Sequence, residues 1–221
     1  MAPGALIRVS AGDKVFIAGQ TRSGKSVLAT HLAERFDRVV VYDPKWGDPA
    51  ANLTNATVVH SAREAVQRIP GRVIYQPDAA DGARIQAAWD TICAKVWISS
   101  AGGIAVVVHE LPFLATPWSI GPQFRQLITA GGLFGITVIL VSQRPSGIPV
   151  VARSESIHWA CFTLLDPDDR TTMANVMGEP VRDRPLPMDH TFWYRSPDNR
   201  LRLCEPITLP AHGRPDAPPA P

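Results

Sequence analysis

The chain predicts an α/β fold, a mostly parallel sheet with helices on both faces and a phosphate-binding loop at its start. Three observations carry this. Val15 to Ala18 is an apolar run that breaks without a gap into Gly19-Gln20-Thr21-Arg22-Ser23-Gly24-Lys25-Ser26, a GxxxxGK[ST] pattern, and apolar residues at helical spacing follow from Val27 to Phe36. Gly103 to Glu110 carries a continuous apolar run of the kind a strand needs when both its faces are covered, and Gly135 to Arg144 reads as another fully buried strand. Strand-like and helix-like segments alternate down the chain, the pattern of parallel crossovers.

Residues 1–13 form a lead-in, with an edge strand expected at Leu6 to Val9. Lys14 to Ala18 is the first buried strand, and Arg38 to Tyr42 the second, closed by Asp43-Pro44-Lys45-Trp46-Gly47, where proline and glycine turn the chain. Thr57 to His60 and Arg72 to Gln76 read as weaker strands flanking a helix at Ala62 to Ile69. From Ala83 to Ile98 the residues Ile85, Ala88, Trp89, Ile92 and Val96 fall at helical spacing. Gly103 to Glu110 and Gly135 to Arg144 are buried strands around a helix at Gln123 to Ala130. Ile157 to Leu165 repeats the pattern before an Asp-rich helix start at Asp166 to Asp169. His190 to Arg195 and Arg200 to Cys204, joined through Ser196-Pro197-Asp198-Asn199, predict a C-terminal β-hairpin. The expected organisation is a single domain over residues 1–209, built on the phosphate-binding loop, and a Pro-rich flexible tail over 210–221, which has too few apolar residues to pack.

Composition narrows the class. At 221 residues and 45% hydrophobic content, the chain can bury one substantial core. A net charge of +2 supplies no global basic field, so any nucleic-acid contact must be local. Cys93, Cys161 and Cys204 lie far apart and form no CxxC pair, which argues against a disulfide framework or a zinc site and for a reducing interior. The N-terminus lacks the apolar core of a secretory signal, and no apolar run reaches the length of a membrane span, so a soluble protein is expected.

The phosphate loop sets the chemistry. Successive N–H groups from Gly19 to Ser26 can point at phosphate oxygens, and the helix opening near Lys25 adds its positive end. Lys25 is expected to reach the β- and γ-phosphates of ATP, and the Ser26 hydroxyl to hold Mg²⁺. A partner at a neighbouring strand end must orient or deprotonate water for in-line attack, and the run ending His109-Glu110 before Leu111-Pro112 offers Glu110. At the end of the next buried strand, Gln143 can bridge γ-phosphate and water. A guanidinium is needed against charge on the transferring phosphoryl group, and Arg153 and Arg170 are the candidates. Asp43 is a further candidate near the metal.

The ordered set AGQTRSGKS, VVVYDPKW, VVVHELPFL, VILVSQRPSGIP and FTLLDPDDRTTMANVMG resembles the FtsK–HerA superfamily of P-loop motors, from about residue 14 to about residue 178. Asp43-Pro44-Lys45 with Gln143-Arg144-Pro145-Ser146 is the more specific part, because kinases and GTPases of the same general fold do not look like that. The small size is most similar to the genome-packaging ATPases of tailless, membrane-containing icosahedral viruses. The resemblance implies a RecA-like core that forms a pentameric or hexameric ring, with ATP sites at subunit interfaces. It also implies double-stranded DNA, gripped by its phosphates, driven into a preformed capsid, with capsid vertex proteins as partners and a place in the host cytoplasm or at a virion vertex. Lys25, Ser26, Glu110 and Gln143 inherit the lysine, metal, water-activating and sensor roles, and Arg153 or Arg170 acts in trans. His109 stands where the family has Asp; a neutral imidazole can accept from a water of the Mg²⁺ shell but adds no negative charge. Ser99 to Gly103, Thr116 to Ser119, Arg125 and Arg144 are candidate DNA contacts. Alternatives at this stage are a plasmid or cellular DNA-transfer ATPase, a small-molecule P-loop kinase, and a non-hydrolysing scaffold.

Overall fold

Nine strands form one sheet in the order β11-β10-β9-β1-β8-β5-β2-β4-β3. Their ranges are β1 (Lys14–Ala18), β2 (Val39–Tyr42), β3 (Thr57–Val59), β4 (Arg72–Tyr75), β5 (Ile104–Val108), β8 (Ile136–Ser142), β9 (His158–Cys161), β10 (Phe192–Arg195) and β11 (Leu201–Cys204), with β6 (Ala115–Thr116) and β7 (Ser119–Ile120) forming a separate hairpin. The computed structural model describes residues 7–46, 53–82 and 84–207. Every pairing from β9 through β1, β8, β5, β2 and β4 to β3 is parallel, and β10 and β11 close the β9 edge antiparallel. The helices are α1 (Lys25–Ala33), α2 (Ala62–Arg68), α3 (Ala79–Gly82), α4 (Ile85–Ile98), α5 (Pro122–Ala130), α6 (Val150–Ser154), α7 (Pro167–Met177) and α8 (Glu179–Asp183).

Alternation along each strand sorts the core into two layers. Ile17, Val39, Val41, Val107 and Ile139 pack against Leu28, Ala29 and Leu32 of α1 on one face. Phe16, Val40, Tyr42, Val106 and Val138 meet α2, α4, α5 and α7 on the other. The second layer centres on Trp89, whose ring lies 5.4 Å from that of Tyr42 and 5.9 Å edge-on from that of Phe124. Covering on both faces is what the unbroken apolar runs require; β2, β5 and β8 are buried at every position.

Register places the chemistry. Ala18 pairs with Ser142, Val108 with Leu140, and Tyr42 with both Val108 and Tyr75. The ends of β1, β8, β5, β2 and β4 therefore share one edge of the sheet, where open α/β sheets bind ligands. Residues 7–10 form no strand, so the expected edge strand is absent over its described part; Ile7 instead buries beside α1. Leu6, Gly47, Ala83 and the 210–221 segment lie outside the described residues. The two-residue strands β6 and β7 and the five-residue helices α6 and α8 have no counterpart in the sequence reading, being too short for periodicity to show.

Candidate nucleotide-binding site

The loop after β1 is held at both sides of its origin. Gly19 N–H donates to Ser142 O at 3.2 Å and Gln20 N–H to Thr163 O at 2.9 Å, so the loop hangs from the ends of β8 and the segment after β9. Gly24 caps α1 at φ 105°, a conformation an L side chain resists, and no side chain among the described residues caps that helix. The first-turn N–H groups of α1 are thus available to an anion. Lys25 is 5% exposed and its ammonium folds back onto Gln20 O. The loop borders a cleft of about 490 Å³, a volume suited to a nucleotide.

Opposite the loop stand the ends of β2 and β5. Asp43 is 2% exposed, and its carboxylate accepts from Gln76 Nε2 at 2.9 Å and from the Lys45 amide at 3.2 Å. Its neighbour Tyr42 is pushed up from the ordinary phenol value by burial and then by the Asp43 charge, so it stays a neutral core residue beside Trp89. His109, 5% exposed, donates its amide to Tyr42 O at 3.0 Å and lines the cleft beside Asp43. Glu110 follows in the left-handed region, φ 58° and ψ 60°, a strained pose for a non-glycine residue. That turn ends β5 and aims the carboxylate along the sheet edge.

A chain of contacts then crosses the edge. Glu110 Oε1 accepts from Lys45 Nζ at 2.6 Å and from Gln143 Nε2, and Gln143 Oε1 accepts from the Thr21 hydroxyl at 2.7 Å. The phosphate loop, Glu110 and Gln143 are thereby joined through three strand ends. On the far side of Gln143, Arg144 pairs with the buried Asp169 at 2.8 Å and with Asp166 at 3.3 Å. The Asp169 and Asp168 amides hold the Asp166 carboxyl below its ordinary value, with Arg144 adding to the effect.

No family model matches the chain. It is 29% identical over 210 residues to the DNA packaging ATPase P9 of Enterobacteria phage PRD1, an alignment spanning 88% of this chain and 87% of that protein. Among solved structures it is similar to the genome packaging NTPase B204 of Sulfolobus turreted icosahedral virus 2 in complex with ATP-gammaS, with TM-score 0.72 and 15% identity over 90% of this chain and 100% of that one. The chain has the fold of these P-loop ATPases and is similar along most of its length to a DNA packaging ATPase. The pCW3 conjugation coupling protein TcpA shares the fold at TM-score 0.57 and 15% identity, over 88% of this chain and 60% of that one.

The P-loop ATPase fold brings Lys25, Ser26, Thr21, Arg22, Asp43, His109 and Glu110 to one cleft, with Gln143 bonded to Glu110 at its margin. It does not bring Arg153 there. β9 starts beside Val15, Ile157 N–H donates to Lys14 O at 3.0 Å, and Arg153 lies four residues earlier, so it sits toward the edge opposite the loop. Burial lowers the affinity of Arg153 for its proton. Arg170 is at the correct edge but donates within its own chain, to Leu165 O at 2.6 Å and Leu164 O at 3.3 Å. Arg144 is likewise committed to Asp166 and Asp169. The loops 99–103 and 116–119 fall at opposite ends of β5, one before it and one after.

Sequence reasoning gave no role to Lys45, Trp46, Phe162, His190, Pro206 and Ile207, which also line the cleft. Lys45 was visible inside Asp43-Pro44-Lys45. His190 carried no signal, since it reaches Gly24 only because the C-terminal hairpin folds beside β9; a Cβ on Gly24 would lie 3.5 Å from His190 Cβ.

Proposed function

We propose that the chain is an ATP-driven motor that moves double-stranded DNA into a viral capsid. The observation that carries this reading is the Glu110–Gln143 contact beside the phosphate loop, in a chain that spans most of a DNA packaging ATPase. The α1 N–H groups and Lys25 bind the triphosphate and orient its terminal phosphorus toward Glu110. Glu110 accepts a proton from the attacking water, and Gln143, fixed by Thr21, holds that water against the γ-phosphate.

Ser26 offers a hydroxyl, Asp43 a buried carboxylate and His109 an imidazole on the same cleft. These mostly hard, oxygen-based donors fit Mg²⁺, which keeps several waters and is held by one or two carboxylates together with phosphates. When bound, Mg²⁺ supplies positive charge to the β- and γ-oxygens. Asp43 from β2 then provides the negative charge that His109 does not.

The chain acts as a pentameric or hexameric ring in which Arg153 or Arg170 meets the neighbour's nucleotide, so that each cleavage moves an interface. Among the described residues neither Arg153 nor Arg170 lines the cleft of its own chain, which leaves each available to a neighbour's. DNA is gripped through its phosphates without regard to sequence, hence more weakly as salt rises. Capsid vertex proteins are its docking partners, in the host cytoplasm or on the virion.

The test is ATP hydrolysis by the purified protein with and without double-stranded DNA at low and moderate salt, for the parent and Glu110→Gln. Turnover that DNA stimulates more at low salt, and that the substitution abolishes while ATP-gammaS binding persists, is expected. A parent rate indifferent to DNA at both salts overturns the motor.

A further inference from the structure

Lys45 and Glu110 face each other because β2 and β5 run in register. Tyr42 pairs with Val108, so the third residue past one strand meets the second past the other. Their contact is 2.6 Å, and it falls on the same Oε1 atom that Gln143 binds. A carboxylate oxygen already accepting from an ammonium and an amide is poorly placed to take a proton from water. The two partners are unequally held: the Glu110 side chain is 12% exposed and the Lys45 side chain 43% exposed. Backbone movement is restrained as well, since the Lys45 amide donates to Asp43 Oδ1 at 3.2 Å. The part free to swing is therefore the four-carbon arm of Lys45, and its ammonium shares the cleft with Lys25 and Ser26.

We propose that Lys45 is a positioning residue: its ammonium holds Glu110 in a resting pose, and an entering γ-phosphate draws that ammonium away and frees the carboxylate for the attacking water. The inference rests on the hydrolytic reading of this cleft. A γ-phosphate carries more negative charge than one carboxylate, so in the cleft that Lys45 lines together with Lys25 and Ser26 it competes directly for the cation. ADP lacks the competing group, so it leaves the pair closed. Hydrolysis is then self-limiting, because loss of the γ-phosphate returns Lys45 to Glu110.

Two measurements test this. The chain has four lysines, Lys14, Lys25, Lys45 and Lys95, so lysine 13Cε signals are few and Lys45→Met assigns the one in question. Glu110→Gln should shift the Lys45 signal without nucleotide, and ATP-gammaS, but not ADP, should shift it in the parent. In steady-state assays without DNA, Lys45→Met should raise kcat about 2- to 5-fold, as expected for release of a partly exposed pair, with Lys45→Arg near the parent. A Lys45 signal unmoved by Glu110→Gln or by ATP-gammaS, or a Lys45→Met rate at or below the parent's, overturns the proposal. If the parent does not hydrolyse ATP at all, the motor reading fails, while the lysine signal still decides whether the pair exists and responds.

Discussion

The Thr21 hydroxyl donates to Gln143 Oε1 at 2.7 Å, tying the phosphate loop after β1 to the end of β8. This contact decides which way the Gln143 amide points. With its oxygen engaged by Thr21, the amide must turn its NH₂ toward Glu110, where a carboxylate accepts it. Thr21→Val removes the donor and keeps the shape. The amide can then rotate, placing an oxygen against the Glu110 carboxylate part of the time. Expected is a fall in kcat of about 3- to 10-fold, corresponding to roughly one neutral hydrogen bond lost in the transition state. KM for ATP should change little, because the loop N–H groups and Lys25 are untouched. Steady-state kinetics separate the two; an unchanged kcat shows that Thr21 does not position Gln143 for turnover.

Asp90, within α4, caps the N-terminus of α5 from outside that helix. Its carboxylate accepts from Phe124 N–H at 3.0 Å and Gln123 N–H at 3.3 Å, while Gly121 at the cap position supplies no side chain. A side chain at Gly121 collides with that cap: a Cβ there would lie 2.2 Å from Asp90 Oδ1, so the carboxylate has to move. Asp90→Ala should destabilise by about 1 kcal/mol, the usual scale of a lost cap. Gly121→Ala should cost at least as much by displacing the same carboxylate, and the double variant should be no worse than the more damaging single one. Urea unfolding of the three variants gives the coupling; simple additivity would show that Asp90 and Gly121 act independently.

What the sequence disclosed depended on whether a signal was local. β1, β5 and β8 were legible because a strand buried on both faces needs an unbroken apolar run, and the loop because its glycines and lysine are fixed by backbone geometry rather than by distant packing. Glu110 and Gln143 were legible as residues at strand ends, but not as a bonded pair: that follows from β5 and β8 being neighbours, with Val108 beside Leu140. That Arg153 lies away from its own chain's cleft was not legible, because the chain returns across the sheet between Ser142 and His158 and nothing in the sequence marks how quickly. His190 depended on the sheet's antiparallel edge, a contact between residues more than a hundred apart along the chain.

The thiols should differ in reactivity for a reason unrelated to sequence motif. Cys93 and Cys161 are buried, and burial pushes Cys161 up to about 12 and Cys93 well above its ordinary value. Cys204 is half-buried on β11; burial raises it too, with Arg202 opposing. The thiolate is the reacting form, so at pH 8 a disulfide reagent should modify Cys204 alone, slowly, in the folded protein, and all three after denaturation. Rapid modification of two or more thiols without denaturant would contradict the packing around β9 and α4.

Asp166 makes an acid-dependent contribution to the segment that carries Arg170. Its carboxylate accepts the Asp168 and Asp169 amides at the start of α7 and pairs with Arg144, and these interactions hold its proton affinity below the ordinary aspartate value. A depressed folded-state value means that the stabilisation is complete above the unfolded value and is lost as pH falls through the folded one. Asp166→Asn keeps a cap acceptor but removes the charge. The variant should therefore unfold more readily than the parent near neutral pH, by a margin that is constant down to the ordinary aspartate range and closes below it. Raising the salt concentration at neutral pH should narrow the same margin, since the pair with Arg144 is exposed. Denaturant midpoints for both proteins across an acid series measure it, and a margin that persisted undiminished into strong acid would assign the effect to packing rather than to charge.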